Sequence, residues 1–131
     1  MDFKFISPVN STVKLKATIH RTGKLGFTLD TIKELQLDST KWVKFALNNS
    51  DKNDKSLYMF ILTEADNESF PVIKAGHYLY INTTSTFENM DLDFKKNRIF
   101  FTIIEINENN QKYYKLIRKE SERKERGQKK F

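Results

Sequence analysis

The sequence contains no cysteine among its 131 residues, which excludes disulfide bonds and metal sites built on thiolates. It has no apolar run near the roughly 18 residues that a membrane-spanning helix needs. Its first residues also lack the basic start and long apolar core of a secretion signal. We therefore expect a cytoplasmic protein with no membrane association, and the length fits one ordinary domain.

Motifs for catalysis and for phosphate cradles are also absent. The glycines near residue 23 lack the G-x-x-x-x-G-K-[ST] spacing and precede a predicted strand rather than a helix. No serine or threonine has an evident histidine and acid to activate it. His20 and His77 belong to no cluster of metal ligands. We therefore predict a protein that is not an enzyme and that uses neither a metal nor another cofactor.

Positive charge is concentrated at the end of the chain. The formal net charge is +6, and from Arg118 onward seven Lys and Arg face three Glu, so this end carries 7 − 3 = +4 and the rest 16 − 14 = +2. A basic tail, placed at residues 121–131, attracts polyanions without reading sequence, or it serves only as a solubilising end. The candidate nucleic-acid-binding residues of this end are Arg118, Lys119, Arg123 and Lys124.

Apolar residues alternate with polar ones from residue 13 to residue 20. The period of two predicts a half-buried strand with a basic outer face. The inner positions are Val13, Leu15, Ala17 and Ile19, and the outer positions are Lys14, Lys16, Thr18 and His20. The glycines that follow predict a turn into a short strand at 25–28, and then a short helix at 30–37 that is capped by Thr28 or Asp30.

The same order of elements recurs in the second half of the chain. The predicted elements after the first helix are strands at 42–47, 57–62, 70–74, 78–81, 98–106 and 112–118, and a helix at 83–90. An offset of 55 superimposes the helices, and an offset of 56 superimposes the strands after them, as for Val43 and Ile99.

This recurrence predicts a single α+β domain over residues 1–120 that is rich in strand. Two hairpin, helix, hairpin repeats, at about 12–64 and 70–119, would form one pseudo-twofold sheet or barrel with two short helices. A unit of this size would not bury enough apolar surface by itself, so the two repeats are expected to pack on each other.

The segment TIHRTGKLGF at residues 18–27, followed by Ile32-x-x-Leu35-x-Leu37 and two strands, resembles the swapped-hairpin DNA-binding family that includes AbrB, SpoVT and the MazE antitoxins. In that family two chains interlock their hairpins into a dimeric barrel, and basic residues of the first hairpin face DNA. The resemblance implies that a tandem copy within one chain imitates the dimer. The DNA-facing candidates that it implies are Lys16, His20, Arg21 and Lys24, with Lys14 on the same strand face.

The order of four strands and a helix over residues 42–90 is similar to the single-strand-binding folds of the Whirly and Pur-alpha type. Their curved sheets hold unpaired bases on aromatic side chains beside basic residues. Here Tyr78 and Tyr80 share one strand face, and Trp42 and Lys44 share another. The two tyrosines are equally compatible with stacking on a base and with core packing. The 11 phenylalanines are interpreted mainly as core residues.

Together these patterns predict a non-catalytic nucleic-acid-binding protein, with DNA favoured over RNA, of the transcriptional-regulator or single-strand-binding type. The alternative is a protein-interaction or structural module of a larger assembly, such as a phage or mobile-element complex, which pairs its strand edges with a partner. Both a monomer and a homodimer are compatible with the sequence.

Overall fold

The computed structural model describes residues 1–5 and 14–123, and these form eight strands and two helices. The strands are β1 (Lys16–Ile19), β2 (Leu25–Phe27), β3 (Trp42–Leu47), β4 (Leu57–Leu62), β5 (Ser69–Ala75), β6 (Tyr78–Ile81), β7 (Asn97–Glu108) and β8 (Gln111–Glu122), and the helices are α1 (Leu29–Leu35) and α2 (Thr84–Asn89). The α+β class and the strand-rich architecture with two short helices are therefore confirmed.

The strands close into one antiparallel barrel in the order β1-β2-β6-β5-β3-β4-β8-β7, and β7 pairs back onto β1. Each strand has one neighbour from its own half of the chain and one from the other half. Either half by itself would therefore leave strand edges with unpaired N–H and C=O groups, and only the two halves together close the ring.

Alternation along the strands places one set of side chains inside the barrel. Ala17 and Ile19 of β1 are fully buried between exposed or half-buried neighbours, as the sequence predicts, and their partners on the adjacent strand β7 are the buried Phe101 and Ile99. The buried apolar residues are Ala17, Ile19, Leu25, Phe27, Leu35, Leu37, Val43, Leu57, Met59, Val72, Leu79, Ile81, Phe87, Leu92, Phe94, Ile99, Phe101, Ile103, Tyr114 and Leu116.

The two helices pack against this core and also hold neighbouring strands. Thr28 caps α1 through its hydroxyl, which accepts from the Thr31 N–H at 3.3 Å. Thr31 is fully buried, and its hydroxyl accepts from the Lys16 N–H at 2.8 Å and donates to the Lys16 carbonyl at 3.1 Å. Phe87 of α2 is fully buried. Within the described residues, neither helix has the length and apolarity to cross a membrane.

The last strand extends into the segment that the sequence analysis assigns to the tail. β8 continues to Glu122, where Ser121 pairs with Arg98 and Glu122 pairs with Asn97. The beginning of the predicted tail at 121–131 is therefore strand, because the long partner β7 supplies backbone groups that far along. Residues 124–131 of the predicted tail lie outside the described residues.

The offset of 56 between the halves does not hold in the last hairpin. Val43 pairs with Ile61 in the first half, so an offset of 56 would pair Ile99 with residue 61 + 56 = 117. Ile99 pairs instead with Glu120. The paired residues are 61 − 43 = 18 positions apart in the first hairpin and 120 − 99 = 21 apart in the second. β7 and β8 are 12 residues long and are joined only by Asn109 and Asn110, whereas the six-residue strands β3 and β4 are joined by residues 48–56, so the longer strands outweigh the shorter turn.

Candidate functional site

One outer surface of the barrel combines basic and aromatic side chains. Cross-strand register aligns Lys119, Phe100, Thr18, Gly26 and Tyr80 in a single row over β8, β7, β1, β2 and β6. Since residues opposite each other point to the same side of a sheet, these positions share the outer face. We define the basic–aromatic face by Lys16, His20, Lys24, Tyr78, Tyr80, Phe100 and Lys119.

A groove opens in this face where two strands separate. The pairing of β2 with β6 stops at Gly26 and Tyr80. Beyond that pair the strands enclose a concave volume of about 460 Å³. Its lining residues are Thr18, His20, Lys24, Gly26, Phe27, Thr28, Tyr78, Leu79 and Tyr80. The groove therefore joins the basic residues of the first hairpin to the tyrosines of the second half.

Two lysines of the face lie over aromatic rings. The Nζ of Lys24 is 4.7 Å from the centroid of the Tyr80 ring, and the Nζ of Lys16 is 5.7 Å from the centroid of the Phe100 ring. Both distances are within the range of cation–π attraction. Within the described residues, no carboxylate lies within 4.0 Å of either ammonium group. These positive charges are held in place by rings and are not neutralised by acids.

His20 owes its position to the missing side chain of Gly26. A Cβ built on Gly26 would lie 2.3 Å from the Nε2 atom of His20, well inside van der Waals contact. The imidazole therefore covers the backbone of β2 at the floor of the groove. No other residue type at position 26 would leave room for the ring where it now lies.

The turn that carries these basic residues is held by the second half of the chain. Gly23 has a φ of +93°, in the left-handed region that favours glycine. Its carbonyl accepts from the Thr83 hydroxyl at 2.9 Å, and the Thr22 carbonyl accepts from the Thr84 hydroxyl at 2.9 Å. The start of α2 therefore fixes the turn between β1 and β2, and Gly23 supplies the backbone conformation that this turn needs.

The predicted site residues do not all lie together. The structure brings His20, Lys24, Tyr78 and Tyr80 together in the groove, and it places Lys16 and Lys119 on the same face. Arg21 and Arg123 line a neighbouring cavity. Lys14 is exposed just before β1, and Lys124 lies outside the described residues.

Arg118 and the pair of Trp42 and Lys44 do not belong to this surface. Arg118 is opposite the buried Phe101, so it points away from the outer side on which Lys119 lies, and its Nε is 3.2 Å from a carboxylate oxygen of Glu120. Trp42 and Lys44 lie on β3, which is remote in the ring from β1 and β2.

Sequence reasoning misses Phe100, which belongs to the basic–aromatic face, and Arg98, which lines the neighbouring cavity with Arg21 and Arg123. Alternation along β7 buries Ile99, Phe101 and Ile103 and turns the residues between them outward. Of the described phenylalanines, four are buried and two more pack against the core, as expected for most of them. Phe100 instead lies on the outer side, where its ring is beneath the ammonium group of Lys16. The period of two within residues 98–103 is the signal that would have found both residues.

The outer surface of β3, β4 and the first part of β8 has a different character. We call it the opposite face and define it by Lys44, Tyr58, Phe60 and Tyr113. The Nζ of Lys44 is 2.6 Å from a carboxylate oxygen of Asp66 and 3.6 Å from one of Glu68. The hydrogen bond with Asp66 raises the pKa of Lys44 and lowers that of the aspartate.

The aromatic residues of the opposite face contact one another. The rings of Phe60 and Tyr113 are stacked with centroids 5.1 Å apart. The Tyr58 hydroxyl donates to a carboxylate oxygen of Asp54 at 2.5 Å, and this hydrogen bond is the main reason that the pKa of Asp54 is well below its ordinary value. On the opposite face, the lysine is therefore paired with carboxylates, and the aromatic side chains already have partners within the protein.

Comparisons with protein-family models, with curated proteins and with solved structures find no match. The chemistry of the two faces is therefore the guide to function.

Proposed function

We propose that the protein binds nucleic acid without catalysing a reaction, and that the basic–aromatic face is its contact surface. One observation carries the proposal: the groove joins His20 and Lys24 to Tyr78 and Tyr80. Phosphates require positive charge, and unpaired bases require flat apolar surfaces on which to stack. The groove offers both within one concave space.

The geometry favours a single strand over a duplex. Tyr78 has 66% of its surface exposed, so its ring is available to a base that has left its partner. The ammonium group of Lys24 lies over the Tyr80 ring, so a base that stacks there would take its place while Lys24 turns to a neighbouring phosphate. Stacking on such a ring contributes about 1–3 kcal/mol per base. DNA is the proposed target, and a duplex would contact mainly Lys16, Lys24 and Arg21 along the first hairpin.

We also propose that the two halves are copies of one ancestral unit. Exchanging β1 with β5, β2 with β6, β3 with β7 and β4 with β8 leaves the order of strands around the ring unchanged, which supports this origin. Gly26 and Tyr80 face each other across the pair formed by β2 and β6. The groove would then lie at the pseudo-twofold axis, with basic residues on one side and aromatic residues on the other.

Fluorescence anisotropy with labelled oligonucleotides tests the function. Single-stranded DNA of about 15 nucleotides, the matching duplex and the matching RNA are titrated at about 50 and 200 mM salt. The proposal expects the tightest binding for the single strand, and weaker binding at the higher salt. Binding weaker than about 100 μM to all three probes at the lower salt would contradict it. Tighter binding of the duplex would instead favour the regulator type.

A second candidate function is a protein-interaction module, and the long hairpin of β7 and β8 favours it. β1 covers only residues 99–102 of β7, so the end of the hairpin extends beyond the ring. Ile104 on this extension has 45% of its surface exposed. Size-exclusion chromatography with light scattering tests a self-association of this kind. A homodimer that Ile104→Lys dissociates would support it, and a monomer at all concentrations would contradict self-pairing.

A further inference from the structure

Three arginines from separate parts of the chain line one cavity beside the groove. Arg21 lies in the turn after β1, Arg98 near the start of β7, and Arg123 just after β8. The cavity has a volume of about 910 Å³. Its other lining residues are Thr18, Ile19, His20, Ser121 and Glu122. Because the closed ring brings these segments together, the cluster is a product of the fold and not of a basic run in the sequence.

Arg123 is held in place by backbone carbonyls. Its Nε donates to the Phe94 carbonyl at 3.0 Å, and one terminal nitrogen donates to the Ile19 carbonyl at 3.4 Å. A guanidinium group has five N–H donors in a fixed plane, so these two bonds fix its orientation and leave donors for another acceptor. An ordered arginine loses less conformational entropy on binding than a free one.

The positive charge of this cluster is not balanced by ion pairs. Within the described part of the chain, the ion pairs of 4.0 Å or less involve Lys44, Lys112 and Arg118, and none involves Arg21, Arg98 or Arg123. Glu122 lines the cavity without reaching that distance. Burial lowers the pKa of Arg123, and the nearby charges of Arg21 and Arg98 lower it further. An anion in the cavity would relieve this repulsion.

We propose that the three arginines form a subsite for a phosphate group of the bound nucleic acid. Arginine suits this role because its planar donors match two phosphate oxygens at once. Thr18 and His20 line both this cavity and the groove, so a phosphate at the arginines is adjacent to a base on Tyr80. The proposal rests on the proposed function for the source of the phosphate, which is either the end of a strand or its internal backbone.

Inorganic phosphate tests the subsite without any oligonucleotide. The Nε–Hε signals of the arginines are followed by NMR while phosphate replaces chloride at constant ionic strength. The signals of Arg21, Arg98 and Arg123 are expected to shift and saturate, whereas that of Arg118, which is paired with Glu120, is expected to stay nearly constant. Arg98→Gln should weaken phosphate binding about tenfold, since it removes charge-assisted hydrogen bonds. Equal small shifts of all four signals would overturn the proposal.

Oligonucleotides with and without a terminal phosphate identify the source and separate the two proposals. If a 5′- or 3′-phosphate raises the affinity of the wild type but not of Arg98→Gln, the subsite holds a strand end. If terminal phosphates have no effect and Arg98→Gln still loses about tenfold relative to Arg118→Gln, it holds the internal backbone. Equal losses in the two variants contradict the subsite while leaving DNA binding intact. Saturable phosphate binding without DNA binding supports the subsite and contradicts the proposed function.

Discussion

The two outer faces of the barrel use similar side chains in opposite ways. On the basic–aromatic face, Lys24 lies over the ring of Tyr80. On the opposite face, Lys44 is bound to Asp66 and Glu68, and the ring of Tyr113 is stacked on Phe60. A lysine over a ring keeps its full charge toward the solvent, whereas a lysine between two carboxylates does not.

This difference shows why composition alone is a poor guide to a binding surface. Both faces contain lysine and aromatic residues at outward strand positions. The faces differ in the partner that each side chain already has. A cation paired with a carboxylate contributes little to the positive electrostatic potential at a distance, whereas a cation over a ring keeps its contribution. Four substitution experiments can break or sharpen this comparison.

The largest expected effect comes from neutralising two lysines on one face. Lys16→Gln combined with Lys24→Gln should weaken single-stranded DNA binding about 30-fold at about 50 mM salt, and the slope of log affinity against log salt should fall by about 1.4. The double variant Lys44→Gln and Lys112→Gln removes the same net charge, and less than a threefold change is expected from it. Equal losses in the two double variants would mean that net charge, and not the face, attracts the DNA.

A smaller loss is expected from removing a single ring. Tyr80→Leu should reduce the affinity for single-stranded DNA about tenfold, since stacking on one aromatic ring contributes about 1–3 kcal/mol. The effect on duplex binding should be smaller, because paired bases do not reach the groove. Tyr113→Leu is the control on the opposite face. A larger loss of affinity from Tyr113→Leu than from Tyr80→Leu would mean that DNA contacts the opposite face, and it would contradict the proposed contact surface.

Gly26→Ala should have a smaller effect that depends on His20. The new methyl group displaces the imidazole into the groove, because the Cβ position lies 2.3 Å from the Nε2 atom. We expect about a threefold loss of affinity, equivalent to about 0.7 kcal/mol, together with a change in the His20 ring signals by NMR. Gly76→Ala is the matched control, since nothing lies within 4 Å of its Cβ position, although its φ of +65° makes the change strained. Unchanged His20 signals in Gly26→Ala would refute the steric argument.

No effect on DNA binding is expected from Asp54→Asn, which alters only the opposite face. The hydrogen bond from Tyr58 lowers the pKa of Asp54, so its contribution to stability is present above the unfolded pKa of about 3.9 and is lost as the pH falls through the lower folded value. Thermal unfolding should therefore show a less stable variant at pH 7, with the difference from wild type disappearing in acid. A difference that does not shrink as the pH falls below the unfolded pKa of about 3.9 would have another cause.

The sequence predicts the elements better than it predicts their register. The bounds predicted for β3, β4 and β6 match the structure, because each is a short apolar run between polar loops. The sequence predicts strands at 98–106 and 112–118, whereas β7 spans Asn97–Glu108 and β8 spans Gln111–Glu122. The polar residues 107–111 suggest a longer loop than the turn that forms. Asn109 and Asn110 both have positive φ values, as in the two-residue turns that allow strands to pair up to the turn.

The candidate site could be predicted in its residues but not in its assembly. Period-two alternation places Lys16 and His20 on the outer side of the first strand without any structure, and it puts Tyr78 and Tyr80 on one side of β6 without deciding whether that side faces the core. Their meeting depends on the pairing of Gly26 with Tyr80, which joins the two halves. Local patterns contain no information about such a distant pair, because a strand with one apolar side fits many partners equally well.

Closure of the ring also has a consequence for how the chain acquires its shape. Because each strand finds one of its two neighbours in the other half, no strand of the first half can complete its hydrogen bonding until strands of the second half have been synthesised, and β4 must wait for β8. Proteins dominated by pairings between distant residues fold slowly. The apolar sides of the early hairpins must then remain shielded from aggregation throughout that wait.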